Sequence, residues 1–360
     1  MRGQADRRTI LATSLLVLAG LILLYSASAP FSLRHYGSNV SMLLRQAIAA
    51  GLGVVALLIL ARMDYHRLAV INDLLLVGSF LLTAITILPL GVGDGRWLAL
   101  GPFTFQPTEL LKFSLILYLA SSLARKGDRV RSFLQGVAPS IIVLAVLGIT
   151  VLAQPDMGMV LVFGSVTMAM LFFAGARVLH LLGIVGASVP LVIAAVQVAP
   201  YRLARVLSFL NPHAYGETSG YQTIQSLIAI GSGGLLGRGL GASRAKLFYL
   251  PQSHNDFIAS VVAEELGLVG MLVLLGALAF LVWRAFAIAE RAPDRLGRLL
   301  ALGIGFTIGF QALVNISVAV GLLPVTGLTL PFLSNGGSSL IVTLAMVGLL
   351  LNVSRQGAQT

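Results

Sequence analysis

Residues 249–283 read YLPQSHNDFIASVVAEELGLVGMLVLLGALAFLVW, a polar loop that passes into a long apolar run. From Ile258 to Trp283 the run is long enough to cross a bilayer, which takes about 20 mainly apolar residues. Its mouth carries His254 and Asp256, and Glu264 and Glu265 follow inside it. Spanning helices avoid such groups unless they pair with one another or take part in function. The stretch therefore predicts a membrane helix with chemistry at one end.

The rest of the chain repeats the pattern. Of its 360 residues, 57% are hydrophobic and 10% charged, whereas soluble domains carry about 25% charged residues. Ten segments are long and apolar enough to span: 9–28, 42–61, 73–91, 108–124, 134–153, 158–175, 178–199, 258–283, 299–321 and 337–353. The predicted fold is one all-α polytopic membrane domain over residues 1–360. The net charge of +11 would suggest nucleic acid in a soluble protein. Here it follows the tendency of basic residues to gather in cytoplasmic loops, and Arg62, Arg67, Arg125, Lys126, Arg291 and Arg295 do so if both termini are cytoplasmic. There is no cysteine, which excludes disulfides and thiolate chemistry. Arg7 and Arg8, an apolar run and Ala27-Ser28-Ala29 imitate a cleaved secretory signal, but the run is long enough to span and Pro30 suits cleavage poorly, so an uncleaved helix is expected.

Two outer loops stand apart. One, from 92 to 107, is rich in Gly, Pro and Trp and suits a compact fold at the membrane surface. The other, 200–256 between the seventh and eighth spans, is too long for a turn and too apolar for disorder. Its stretches YRLARVLSFLNP, GYQTIQSLIAI and KLFYLP predict short helices lying along the bilayer. Arg202, Arg205, Arg244 and Lys246 in this loop suit either lipid head groups or an anionic ligand such as a pyrophosphate.

Other candidates follow from spacing. Glu109 and Lys112 lie i, i+3 on one helix face just after Pro107, and Lys112 is shallow enough to snorkel; Arg96 could turn toward them. Asp156, after a proline, reads as turn chemistry. Asp256 fits an N-cap as well as a reactive acid. Glu264 and Glu265 point to different sides of their helix, so both cannot neighbour Asp256; bonding within the bundle suits them. His254 and Asp256 are too few to define a metal site. The segment Asn335–Ser339, with Ser338, could present backbone donors to an anion at a helix start. The run GSGGLLGRGLG (Gly231–Gly241) lacks the strand and helix a dinucleotide site needs. Gly305 and Gly309 form a GxxxG packing signal.

Taken together, GRWLALGPFTFQPTELLK, AQPDMG, YRLARVLSFLNP, YLPQSHNDFI and GLLPVTGLTLPFLSNGGSS resemble the SEDS (shape, elongation, division and sporulation) family across most of the chain. The resemblance implies a peptidoglycan glycosyltransferase that polymerises lipid II at the outer face of the bacterial cytoplasmic (inner) membrane. It also implies a class B penicillin-binding protein as partner, within an elongation or division complex, and leaves open which of the two processes is served. It implies that Asp256 is essential, that Glu109 and Lys112 support it, and that Arg96 and Asp156 contribute. It allows a divalent cation, Mg²⁺ or Mn²⁺, and no organic cofactor. Asn255 and Asn335 depart from the family's usual residues without removing a charge. Asp256 would act as general base in an inverting displacement, with Arg202, Arg205, Arg244, Lys246 and Lys112 as candidates to steady the departing pyrophosphate. The alternative is a lipid II transporter or flippase, which paired repeats would favour; none is evident.

Overall fold

The computed structural model describes residues 5–88, 93–101, 103–154, 156–215 and 219–357. Its helices are α1 (Arg7–Tyr36), α2 (Ser41–Arg62), α3 (Tyr65–Val70), α4 (Asn72–Ile85), α5 (Pro107–Lys126), α6 (Ala138–Ala153), α7 (Met157–Phe173), α8 (Val178–Val198), α9 (Pro200–Leu210), α10 (Ser219–Gly233), α11 (Ile258–Glu290), α12 (Arg295–Ala319) and α13 (Gly337–Gly357). A small antiparallel sheet, β1 (Gly93–Asp94), β2 (Trp97–Leu100) and β3 (Phe103–Phe105), sits between α4 and α5. It is the compact fold that the glycines and Trp97 of this loop predict. Among the described residues, each of the ten segments expected to span contains a helix, and seven helices are long and apolar enough to cross a membrane. Apart from this sheet the chain is helical, a polytopic membrane protein.

Burial is uneven. In α12 and α13, 72% and 78% of the most apolar stretch is buried, against 6% in α8. The first two form the centre; α8 lies at the rim with most of its surface exposed. Gly305 and Gly309 face Ala285 and Val282 of α11, so the GxxxG signal marks a helix contact. Asp6 N donates to Ser354 Oγ at 3.2 Å, which puts the two described ends of the chain on the same side of the bundle.

Several boundaries differ from expectation. The first helix does not stop near Ser28 but continues through Pro30 to Tyr36. The third expected span ends as regular helix at Ile85. Hydroxyls turn inward there: Thr83 donates to Ser79 O at 2.7 Å, and Thr86 to Thr83 O at 2.9 Å and Gly95 O at 3.2 Å. Residues 89–92 lie outside the described residues. Of the three short helices expected in the long loop, α9 and α10 form. KLFYLP does not, because Leu247 and Phe248 leave helical backbone angles, Phe248 at φ 68°.

The main departure lies in α11. Its 33 residues would reach about 50 Å as one rod, but Gly267 (φ 68°, ψ −169°) breaks it. That conformation is essentially restricted to glycine. The backbone groups released at the break are taken up by the loop after α10. Arg238 N and Gly239 N donate to the carbonyls of Glu264 and Glu265 at 3.0 and 2.9 Å, and Leu268 N and Val269 N donate to Gly234 O and Leu235 O at 2.9 and 3.1 Å. Unpaired backbone inside a membrane protein costs several kcal/mol per group, so this lacing is what makes the break tolerable. It also explains the glycine run: a Cβ on Gly267 would stand 2.3 Å from Gly237 N, and one on Gly237 2.2 Å from Glu265 O. Asp256 thus opens a short helix ending near Leu266, not the membrane-crossing half that starts at Leu268. Gly267→Ala is expected to cost at least about 1–3 kcal/mol from the backbone alone, with the clash added. Thermal unfolding in detergent should show it; an unchanged midpoint would mean that the break is not built as described.

Candidate functional site

Four helices begin at one end of the bundle, and the local sequence fixes how. At α5, Pro107 occupies the first turn, where its missing N–H costs nothing. Just before it, Gln106 N donates to Ser338 Oγ at 2.9 Å, joining the starts of α5 and α13. Gln106 Nε2 donates to Asp156 Oδ2 at 3.2 Å, joining them to α7. Asp156 caps α7 by accepting from Met159 N at 3.1 Å, so the turn reading of this residue holds and a second contact is added to it. Ser338 is spent on Gln106, and Gly336 N donates to Gln46 Oε1 at 3.2 Å. The Asn335–Ser339 segment is therefore partly committed to structure.

Asp256 lies beside this junction, before α11. The cap of α11 is Phe257, and no side-chain hydrogen bond caps it, so the N-cap explanation of Asp256 is overturned. Its carboxylate accepts no hydrogen bond from any described residue and stays partly exposed. The backbone is held instead: Asn315 Nδ2 donates to Asp256 O at 2.9 Å and to Leu328 O at 2.7 Å. Ser334 Oγ donates to Asn255 O at 2.7 Å, and Asn335 N to His254 O at 3.0 Å. The acid is thus clamped by its main chain and left with a free side chain.

Charge surrounds it. Burial pushes the Asp256 carboxyl up to about 6; Arg205 and Arg96 pull it back, and the nearby Asp156 raises it further. Asp156 is also raised by burial, against Arg96, the Met159 N–H and Arg205, with Glu109 adding to the rise. Arg96, Asp156, Arg205 and Asp256 therefore form one electrostatic unit drawn from the hairpin, α7, α9 and the loop before α11. Arg96 does not turn to the Glu109–Lys112 pair as expected; its Nε donates to Gln154 O at 2.9 Å, beside Asp156.

Lys112 is 1% exposed and does not snorkel. Its ammonium donates to Glu109 Oε2 at 2.5 Å and Gln311 Oε1 at 3.1 Å, because the bundle supplies two acceptors closer than water. Arg202 and Lys246 are also committed elsewhere. The Arg202 guanidinium donates to Tyr201 Oη, Ala195 O and Leu152 O at 2.8–3.0 Å, tying α9 to α8 and α6. Lys246 pairs with Glu265 at 2.7 Å and Ser26 at 3.0 Å. Arg244 is not among the charges acting on Asp256. His254 is buried against the ring of Phe31 (centroids 4.5 Å apart); burial and then His35 lower it to about 4, so it is neutral near pH 7.

Gln311 and Asn315, one turn apart on α12, went unread in the sequence. Spacing i, i+4 puts the two amides on one helix face, which is the signal that could have found them. Gln311 Nε2 and Asn315 Oδ1 are buried without a partner among the described residues, and buried polar atoms in that state call for an explanation. Among the described residues no three His, Asp or Glu side chains come together as a metal cage.

The cell cycle protein family model FTSW_RODA_SPOVE matches residues 6–359. A probable peptidoglycan glycosyltransferase FtsW from Geobacter metallireducens is 43% identical over 340 residues, covering 93% of this chain and 90% of that one. Stage V sporulation protein E of Bacillus subtilis is 42% identical over 97% of each chain. Among solved structures, a chain from work on structural coordination of polymerization and crosslinking by a peptidoglycan synthase complex aligns over 99% of both chains, with TM-score 0.81 and 33% identity. The rod shape determining protein RodA of Thermus thermophilus aligns with TM-score 0.72 and 32% identity over 98% of this chain and 97% of that one.

Proposed function

This chain belongs to the FtsW, RodA and SpoVE family and is a peptidoglycan glycosyltransferase, and from that premise we propose that Asp256 is its general base and lipid II its substrate. The observation that carries the assignment is the state of Asp256: no cap, no hydrogen bond on its carboxylate from a described residue, and two arginines and a second acid around it. The acceptor sugar's hydroxyl oxygen attacks the anomeric carbon of the donor. The bond from that carbon to the lipid pyrophosphate breaks as the new glycosidic bond forms, and configuration inverts. The hydroxyl proton passes to Asp256, and the pyrophosphate leaves with the electron pair. Arg96 and Arg205, the cations that act on Asp256, would meet that developing charge; Arg202 and Lys246 do not act on Asp256. Lys112 and Glu109 act one layer beneath, holding Gln311.

Among the described residues no group of three His, Asp or Glu is placed to hold a resident metal ion. A Mg²⁺ or Mn²⁺ arriving with the substrate's pyrophosphate would be held largely by phosphate oxygens, as Mg²⁺ usually is. The proposed setting is the outer face of the bacterial cytoplasmic membrane, with a class B penicillin-binding protein as partner. The similarity to a chain of a peptidoglycan synthase complex supports that pairing.

Transport of lipid II is the second reading, and a broken helix like α11 is a feature of transporters. Both sides of the break are bonded to residues 234–239, however, so these backbone groups are not available to hold cargo.

The test is polymerisation of purified lipid II across pH. A base raised to about 6 is protonated below that value, so the rate should fall on the acid side with a midpoint near pH 6. Asp156→Asn removes a nearby negative charge and should move this limb to lower pH. A flat profile down to pH 4.5 would remove Asp256 from the role of base. Product made only when the partner is added would identify an enzyme that requires activation.

A further inference from the structure

We propose that a cavity on the flank of α10, separate from Asp256, binds the phosphate of an anionic membrane lipid. The cavity has a volume of about 310 Å³ and is bounded by Gln225, Ser232, Arg238, Arg244, Tyr249 and Glu264. Its charge is unbalanced. The Glu264 carboxylate is fully occupied: Oε1 accepts from Arg238 Nη1 at 3.2 Å and Arg244 N at 3.1 Å, and Oε2 from Ser243 Oγ at 2.6 Å and Ala245 N at 3.1 Å. Only the main chain of Arg244 takes part. Its guanidinium is exposed and makes no hydrogen bond or ion pair with a described residue. Arg238 spends one Nη on Glu264 and its Nε on Ser232 O at 3.3 Å, and its side chain is 37% exposed. Two guanidinium groups thus share a concave space with one satisfied carboxylate. The planar fork of arginine matches phosphate oxygens two at a time.

The rim points to a lipid rather than a soluble anion. Ile228 is 56% exposed, Leu235 69%, Leu236 80% and Leu247 50%. Of these, Ile228 lines the cavity itself, and the leucines belong to the 234–249 segment that supplies Arg238 and Arg244. So many exposed apolar side chains are unusual against water and natural beside hydrocarbon. Leu235 O accepts from Val269 N at 3.1 Å, where the membrane-crossing half of α11 begins. The cavity is also distinct from the reaction centre. The charges acting on Asp256 are Arg205, Asp156 and Arg96, not Arg238 or Arg244. Ser226 marks the inner face of α10 by meeting Ser260 and Ala319 O. At 100° per residue, Gln225 and Ser232 lie roughly 100–120° around the helix from it. A lipid held here grips the 234–249 segment that laces the break in α11.

The full chain, purified in a neutral detergent, is titrated with phosphatidylglycerol, phosphatidylcholine or inorganic phosphate while bound lipid is counted by native mass spectrometry. Phosphatidylglycerol should be retained in preference to phosphatidylcholine, and inorganic phosphate at equal concentration should not displace it. Arg244→Gln, whose side chain supports no described contact, should fold normally and weaken this binding roughly tenfold, as loss of one charge-assisted contact implies. Arg45→Gln, an arginine that stacks on Tyr36 at 4.5 Å, should leave it unchanged. Equal retention by Arg244→Gln and wild type would overturn the proposal. Displacement by inorganic phosphate as readily as by lipid would overturn its choice of a lipid. Neither result bears on polymerisation, so this site and the assignment of Asp256 fail separately.

Discussion

Asp256→Asn is expected to abolish glycan polymerisation while the protein stays folded and still binds lipid II. The substitution keeps size and shape and removes the capacity to take a proton, together with the negative charge that faces Arg205 and Arg96. General-base catalysis is worth typically about 10²–10⁴-fold, so polymer formation should drop by at least that range. The fold should not notice, because the carboxylate caps no helix, and the contacts that fix the residue go to its backbone through Asn315. Three measurements on one preparation decide the matter: glycan ladders from purified lipid II, unfolding temperature, and retention of lipid II. A folded variant that still makes ladders at the wild-type rate would remove Asp256 from the chemistry. A variant that unfolds would show a structural role that its hydrogen bonding does not reveal.

The second large effect concerns Lys112. Its ammonium is buried between Glu109 and Gln311, and truncation to methionine keeps most of the side-chain volume while stranding the Glu109 charge. Removing one partner of a buried pair typically costs about 3–5 kcal/mol. Lys112→Met should therefore lower the unfolding temperature markedly. The double variant Lys112→Met, Glu109→Gln should recover much of the loss, because neither charge is then left alone. If the single variant is as stable as wild type, the pair contributes little to the bundle and its role must be sought in substrate binding. If the double variant is stable but inactive, both roles are present.

Hydropathy made the membrane architecture legible, because a long apolar run has few other outcomes. The same measure hid the break in α11. Residues 258–290 are apolar on both sides of Gly267, and nothing in the run itself distinguishes a bend from a rod. The clue was the pairing of Gly267 with the glycines of 231–241, which matters only once the two segments touch. Carboxylates were half legible. Asp256 could be singled out, but Glu264 and Glu265, suited on spacing to partners within the bundle, instead hold the 238–246 loop, and Glu265 also reaches Ser26 of α1. Cations were least legible, since charge can be read from sequence but commitment cannot. Arg202, Arg205 and Lys246 look alike along the chain, yet only Arg205 acts on Asp256. The amides of Gln311 and Asn315 were passed over because uncharged polar residues barely dent the hydropathy of a span.

Asn315 carries one more consequence. It is twenty residues beyond Arg295, the first residue of α12, and at 1.5 Å per residue that is about 30 Å, the thickness of a typical hydrocarbon core. Since Asn315 holds the backbone of Asp256, the proposed base is set at a fixed height above the far end of α12. The helix works as a depth gauge. A lipid-linked substrate takes its own height from the surrounding head groups, so under the proposed function acid and sugar would meet in register only where the bilayer and this length of α12 agree.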